Sequence, residues 1–193
     1  MPAEDSYLLS ETLENYLINL INNNNSNINK NLKIIDMGSG SGIQAKTCKK
    51  LGFKNILTAD INYDAVKNLK KQGFNAKQSN LFEKIKDKYD LIIFNPPYLP
   101  EDKLEPRDSR LATTAGKEGY EIIIKFLKQA KSNLNKKGII LLLFSSLSKP
   151  SVIKKQAKLL GYHLKLLKKQ NLFFERLYVY ELSALHRTVN IRE

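Results

Sequence analysis

The sequence predicts an α/β fold with a mostly parallel, seven-stranded sheet and helices on both faces. Short apolar runs typical of buried strands alternate along the chain with amphipathic segments of helical period. That alternation is the pattern of a parallel sheet covered by crossover helices. The last two apolar runs are separated only by a short turn, so the sheet is expected to end in an antiparallel hairpin.

All 193 residues are expected to form one domain. Residues 1–31 are predicted to be an N-terminal helix with an Asn-rich loop, residues 32–182 the α/β core, and residues 183–193 a polar tail. The predicted strands are 32–36, 55–60, 74–78, 89–94, 138–144, 163–169 and 173–182, and the predicted helices are 6–23, 42–51, 63–72, 119–134 and 150–160. Asn62 is expected to cap the third helix, and Ser41 with Gln44 has the spacing of a capping box at the second.

Composition limits the class of protein. Cys48 is the only cysteine, which excludes an internal disulfide and a Cys-based metal cage, and we expect it to be a buried helix residue. The longest aliphatic run, residues 139–144, is far shorter than the roughly 20 residues of a membrane span. The acidic N-terminus has no secretory pattern. A cytoplasmic protein without metal or membrane segment is therefore expected.

The charge balance leaves two interpretations open. Lys and Arg number 32 against 19 Asp and Glu, which gives a formal net charge of +13. Such an excess favours a polyanionic partner such as RNA or the ribosome. It is equally consistent with compositional drift, because the excess is mostly Lys spread through the helices.

A glycine-rich turn follows the first predicted strand. Asp36 precedes Gly38, Gly40 and Gly42, and a second acid, Asp60, ends the next strand. Glycines let a backbone approach a ligand closely, and a carboxylate at this place can accept both hydroxyls of a ribose. The Gly-x-Gly-x-Gly spacing differs from the Gly-x-Gly-x-x-Gly of dinucleotide binders, which favours S-adenosylmethionine (SAM) over NAD. A plain βα turn with strand-capping acids is the structural alternative.

The tetrapeptide Asn95-Pro96-Pro97-Tyr98 follows the fourth predicted strand at the same edge of the sheet. A planar NH2 group is a poor nucleophile and needs acceptors that aim its nitrogen at an electrophile. The Asn95 side-chain oxygen can be one acceptor and the Pro96 carbonyl the other, while Tyr98 can cover the flat face of the group. The structural alternative is an Asn-Pro-Pro turn that ends a buried strand.

With these motifs, the chain resembles the Rossmann-like class I SAM-dependent methyltransferases. It is most similar to the HemK-like N5-glutamine methyltransferases of the archaeal and eukaryotic branch, which modify the Gln of the Gly-Gly-Gln loop in class I peptide-release factors. The matching segments are residues 2–9, 36–42, 60, 80–82, 95–98, 115–119 and 173–177.

The resemblance implies roles for particular residues. Ser6 of the opening Pro-Ala-Glu-Asp-Ser motif is expected to lie against the cofactor, and Asp36, Gly38 and Gly40 are expected to form the SAM loop. Asp60 is implied as the ribose acid, and Asn95 is expected to contact the cofactor as well as the substrate. Asn80 stands where the family usually has Asp, beside the adenine, and the Leu81 backbone is expected at the ring. Asn80 can still accept a hydrogen bond from the adenine amine, but without charge assistance.

The resemblance also implies partners. A class I release factor is the expected substrate, and a small zinc-binding activator protein is expected to pair with the edge strand 74–78. Two alternatives stay open, because glutamine and adenine both present a planar NH2. The chain can be an N6-adenine methyltransferase acting on RNA or DNA, or a non-catalytic SAM-fold module that binds the ribosome or RNA.

Overall fold

The structure is a computed structural model that describes residues 4–23, 30–97 and 118–185. Its helices are α1 (Glu4–Asn23), α2 (Ile43–Lys50), α3 (Tyr63–Lys71), α4 (Glu121–Ala130) and α5 (Pro150–Leu159), with short 3-10 turns at Lys131–Asn133 and Ser146–Ser148. Its strands are β1 (Ile34–Met37), β2 (Ile56–Asp60), β3 (Asn75–Gln78), β4 (Tyr89–Phe94), β5 (Leu134–Ser145), β6 (Tyr162–Asn171) and β7 (Arg176–Ala184). No described helix is long and apolar enough to span a membrane.

The seven strands form one sheet in the order β3-β2-β1-β4-β5-β7-β6. Strands β1 to β5 are parallel to one another, whereas β7 lies antiparallel to both β5 and β6. The predicted fold class is therefore confirmed, including the terminal hairpin and the central place of the very apolar β4. Strand β3 lies at one edge of the sheet, as expected.

The core has two layers because side chains alternate across the sheet. Ile35, Ile92 and Leu142 face a layer closed by α4 and α5. Ile34 and Ile93 face the opposite layer, which α1 and α2 close. Cys48 of α2 is buried in this second layer, so its assignment as a buried helix residue is confirmed.

The first turn of α2 differs from the prediction. Gly42 is the N-cap residue, with a φ of 76°, and no side chain caps the helix. The expected capping box of Ser41 and Gln44 is therefore wrong. The Gln44 side chain is buried, and its Nε2 donates instead to the Ser6 carbonyl at 2.9 Å. The Asn62 cap is confirmed, since its Oδ1 accepts from the Asp64 amide at 2.8 Å.

Several boundaries differ from the predicted ones, and strand β5 begins at Leu134 instead of 138. Helix α4 ends at Ala130 instead of 134, because Asn133 turns inward and donates to the carbonyls of Ile85 and Asp87 at 3.1 and 2.8 Å. Strand β7 begins at Arg176 instead of 173. The apolar residues before it form a turn, which an apolar pattern alone cannot distinguish from a strand.

Candidate active site

The topology brings the predicted site residues to one edge of the sheet. The glycine loop follows β1, Asp60 ends β2, residues 79–82 follow β3, and Asn95 follows β4. These four strands are consecutive in the sheet, and all run in the same direction. The four loops therefore adjoin one another at the carboxyl edge, where open α/β sheets bind their ligands.

Hydrogen bonds hold the glycine loop against the end of β2. The Gly40 amide donates to Asp60 Oδ2 at 2.8 Å, and the Ser39 amide donates to the Ala59 carbonyl at 3.1 Å. Gly38 has a φ of 62°, and a Cβ at this residue would lie 3.4 Å from the Phe94 ring. The left-handed backbone conformation favours glycine here, whereas a Cβ would make only ordinary van der Waals contact with the Phe94 ring.

Asp60 is held by two backbone amides. Besides the Gly40 contact, its Oδ1 accepts from the Asn62 amide at 2.8 Å. The carboxylate is half-buried, so its orientation is fixed while part of it still faces solvent. Each carboxylate oxygen keeps lone-pair capacity for a further donor. This geometry is compatible with the predicted ribose contact.

Asp36 lies beneath the loop and is only 2% exposed. Its Oδ2 accepts from the Ala45 amide, in the first turn of α2, at 3.2 Å. Burial is the main cause that raises the pKa of this carboxyl to about 7; the Ala45 amide opposes the rise, and the Asp60 charge adds to it. A cationic ligand at this edge would favour the ionised carboxylate. Its predicted contact with the cofactor stays a prediction.

The segment after β3 has an unusual backbone. Leu81 adopts a φ of 50°, which is uncommon for a non-glycine residue and marks a constrained position. Ser79 holds the turn, with its amide on the Asp60 carbonyl at 2.9 Å and its hydroxyl donating to the Leu81 carbonyl at 2.7 Å. Asn80 Nδ2 donates to Glu83 Oε1 at 2.7 Å. That contact leaves the Asn80 side-chain oxygen as an acceptor, as the predicted adenine contact requires.

Asn95 has the most informative hydrogen bonds in the site. Its Nδ2 donates to Asp5 Oδ2 and to Ser6 Oγ, both at 3.2 Å, so each amide hydrogen has an acceptor. Its Oδ1 is buried and, within the described part of the chain, has no hydrogen-bond partner. A buried polar atom without a partner is costly, and such atoms are expected where a ligand supplies the missing group. Pro96 is buried and Pro97 half-buried, whereas Tyr98 lies outside the described residues.

The sequence predicts no site role for Asp5 or Glu83, and for Gln44 it predicts only the capping box that the structure does not form. Asp5 and Gln44 fix the start of α1 against the rest of the site, through Asn95 and the Ser6 carbonyl respectively. Asp5 belongs to the opening motif, but its contact with Asn95 spans 90 residues and leaves no local signal. Glu83 lies three residues after Asn80, so this pair was visible in the sequence.

Comparison with known families agrees with this site. The model of the methyltransferase small domain matches residues 14–171. The chain belongs to the methyltransferase small domain family. This family and the fold identify it as a SAM-dependent methyltransferase, as the glycine loop and the two acids predict.

Individual relatives refine the comparison. A chain of Methanocaldococcus jannaschii, provisionally named protein N5-glutamine methyltransferase, is 37% identical over 92% of this chain and 88% of its own length. The release factor glutamine methyltransferase of Borreliella burgdorferi is 32% identical over 57% of this chain, which spans only 43% of that relative. The resemblance drawn from the sequence motifs is thereby confirmed.

A solved structure shows the same fold. It is the E. cuniculi Mtq2–Trm112 complex, described as responsible for methylation of the translation termination factor eRF1. The match has a TM-score of 0.71 at 22% identity and covers 96% of this chain and 98% of the other.

Proposed function

We propose that the protein methylates the side-chain amide nitrogen of a glutamine, in the Gly-Gly-Gln loop of a class I peptide-release factor. The observation that carries the proposal is the buried, unpartnered Oδ1 of Asn95 at the edge of the sheet that holds the glycine loop. A substrate NH2 group would supply the missing donor. The names of the M. jannaschii and B. burgdorferi relatives support glutamine as the acceptor.

Asn95 and Pro96 would position the substrate. An amide NH2 carries two hydrogens, and we assign one to Asn95 Oδ1 and the other to the Pro96 carbonyl. Pro96 is buried between a strand end and a second proline, so its carbonyl has little freedom to turn. Two fixed acceptors aim the nitrogen lone pair in one direction, which reduces the entropic part of the barrier. The excess proton leaves to water, and Tyr98 would cover the flat face of the amide.

The remaining residues would hold SAM. Asp36, Gly38 and Gly40 would bind its methionine end, Asp60 its ribose, and Asn80 with the Leu81 amide its adenine. Ser6 would contact it from the start of α1. When bound, SAM supplies an electrophilic methyl group on a positively charged sulfur. Burial raises the pKa of Asp36, and a cationic ligand bound beside it would favour its ionised form.

Asp5 acts as a positioning residue in this proposal. A carboxylate only accepts hydrogen bonds, so the group of Asn95 that faces it must be the NH2. The opposite orientation would place Oδ1 against a carboxylate oxygen and leave the NH2 buried without an acceptor. Asp5 therefore selects the orientation in which Oδ1 can accept from substrate.

The proposal also includes a partner protein and a location in the cell. Strand β3 lies at the edge of the sheet with only Ala76 buried, so its outer backbone groups can pair with an added strand. The structural relative forms a complex with Trm112. We propose a small zinc-binding activator at β3, and action of the single domain 1–193 in the cytoplasm, where translation termination takes place.

The net charge of +13 favours a second candidate, an N6-adenine methyltransferase acting on RNA or DNA, or a module that only binds RNA or the ribosome. A tritiated-SAM assay distinguishes these functions. The acceptors are a purified class I release factor, the same factor with its Gly-Gly-Gln glutamine replaced, and total RNA. Label in the factor that disappears with the replacement is the expected result. Label only in RNA would establish adenine modification. Absence of label, with and without the activator, would favour the binding module.

A further inference from the structure

A pair of exposed aromatic side chains lies at the end of the terminal hairpin. Phe173 and Phe174, in the turn between β6 and β7, are here named the aromatic tip. They are 92% and 86% exposed, the highest values among the large apolar side chains of the described residues. Their ring centroids are 4.6 Å apart with an interplanar angle of 81°, an edge-to-face arrangement.

The turn that carries the aromatic tip is fixed from both sides. The Leu172 amide donates to the Glu175 carbonyl at 2.8 Å, which closes the turn. The Glu175 carboxylate accepts a short hydrogen bond from the Ser145 hydroxyl at the end of β5. The Arg176 amide donates to Ser146 Oγ at 3.0 Å. The two rings are therefore exposed on an ordered turn that is bonded to the central sheet.

The aromatic tip shares an edge of the sheet with the active site. Ser145 ends β5 and pairs with Leu177, so the hairpin turn lies at the carboxyl edge of the parallel strands. Asn95 follows β4 at that same edge. Strand β7 is two positions from β4 in the sheet, and neighbouring strands lie about 4.8 Å apart. The tip is thus displaced from Asn95 by about 10 Å across the sheet and by roughly five residues, about 15 Å, along the strand direction.

The chemistry of the substrate gives this surface a purpose. The site around Asn95 recognises only an NH2 group, and every glutamine carries one. Selection of one particular glutamine must therefore come from contacts outside this site. Rigid aromatic side chains lose little conformational entropy when they are buried against a partner, and they dominate many protein interfaces.

We propose that the aromatic tip docks the acidic protein surface that surrounds the acceptor glutamine in the release factor. This inference rests on the proposed function. Lys169 and Arg176 flank the tip in the sequence, whereas Lys168 is paired with Glu11 at 3.5 Å. The two cations outnumber the one carboxylate of the turn, Glu175, which is bonded to Ser145. The local charge is therefore positive and fits an acidic partner. The edge-to-face rings cannot hold a base between two parallel faces, which favours protein over nucleic acid as the occupant.

The double variant Phe173→Ser/Phe174→Ser tests the docking surface. We expect the KM for whole release factor to rise about tenfold or more, the loss of roughly one interface hot spot. The kcat, the SAM dissociation constant and the melting temperature should stay unchanged. A short Gly-Gly-Gln peptide does not reach the tip, so its kcat/KM should be the same in both proteins. The matched control is Leu159→Ser, which removes a 71% exposed apolar side chain at the end of α5, near the opposite edge of the sheet.

Each other outcome has a definite meaning. An unchanged KM for whole factor would overturn the docking inference and leave glutamine methylation standing. An equal loss with factor and peptide, or a lower melting temperature, would show that the rings act within the chain and would also overturn it. Weaker retention of RNA with an unchanged KM would assign the tip to nucleic acid instead. Absence of transfer to the factor by the unaltered protein would refute the proposed function itself.

Discussion

Removal of Asp5 tests the orientation of the Asn95 amide. In the structure both hydrogens of Asn95 Nδ2 have acceptors, Asp5 Oδ2 and Ser6 Oγ. Once Asp5 is replaced by Ala, only Ser6 remains, and a hydroxyl can accept from an NH2 or donate to a carbonyl oxygen. The two orientations of the amide then become similar in energy, and only one of them presents Oδ1 to the substrate.

The size of the effect follows from the lost hydrogen bond. A hydrogen bond to a charged group contributes about 1.5–3 kcal/mol. If that energy positions Asn95 in the transition state, Asp5→Ala should lower kcat by about 10- to 100-fold. Asp5→Asn keeps an oxygen that can accept from Asn95 but loses the charge, so its kcat should fall by about fivefold, the equivalent of roughly 1 kcal/mol.

Transfer of tritiated methyl to a Gly-Gly-Gln peptide, with SAM saturating, measures this series. The SAM dissociation constant and the melting temperature should stay close to those of the unaltered protein. Glu4→Ala is the matched control, because Glu4 is the exposed neighbour of Asp5. An Asp5→Ala protein with normal kcat would refute the argument. A loss of SAM affinity or of stability as large as the loss of kcat would show that Asp5 is a structural residue only.

Four further substitutions test the site and its loop. Asn95→Ala should abolish transfer while calorimetry shows nearly normal SAM binding, and normal transfer would contradict its catalytic role. Asp60→Ala should weaken SAM binding by about 1–3 kcal/mol, and an unchanged dissociation constant would remove it from the site. Burial raises the pKa of Asp36 from 3.8 to about 7, so the folded state binds this proton more tightly than the unfolded state does. The protonated carboxyl therefore stabilises the fold below about pH 4, and this stabilisation is lost as the pH rises from about 4 to about 7. Urea unfolding at several pH values should show that Asp36→Asn removes this component, and an unaltered pH profile would refute it. Gly42→Ala should destabilise more than Gly73→Ala, because both residues have a φ near 76° but only at Gly42 would a Cβ lie 2.5 Å from a neighbouring side chain. Equal unfolding free energies would contradict the clash.

Most of the fold was predictable because it rests on local pattern. The apolar run predicts β4 at 89–94, as the structure has it, because charged residues precede the run and Asn-Pro-Pro follows it. The alternation of strand and helix patterns along the sequence was enough to predict the parallel part of the sheet. The error at the end of α4 arose where a long-range contact decides the outcome, since the Asn133 side chain bonds two carbonyls more than 40 residues away. The error at the start of β7 is local, because the apolar residues there form a turn.

The capping box predicted at the start of α2 was wrong for a reason similar to that at the end of α4. Ser41 and Gln44 have the spacing of a capping box, and in isolation that spacing is a sound local signal. The structure uses Gln44 differently, because α1 lies across α2 and offers the Ser6 carbonyl as an acceptor. A local motif was thus overruled by a tertiary contact between segments 38 residues apart.

Two side-chain amides of the site are each oriented by a hydrogen bond to a carboxylate. Asn80 gives its NH2 to the Glu83 carboxylate, and Asn95 gives its NH2 to the Asp5 carboxylate. A carboxylate cannot donate while it is ionised, so in both places it forces the amide oxygen to point away from it. An amide oriented in this way offers an uncharged acceptor with a fixed direction, which suits a planar NH2 on either the cofactor or the substrate. If Asn80 makes the adenine contact proposed above, it keeps an acceptor where the resemblance implies an Asp and removes only the charge. Glu83 lies three residues from Asn80, so the sequence alone could reveal that pair. Asp5 lies ninety residues from Asn95, so only the fold could reveal the second pair.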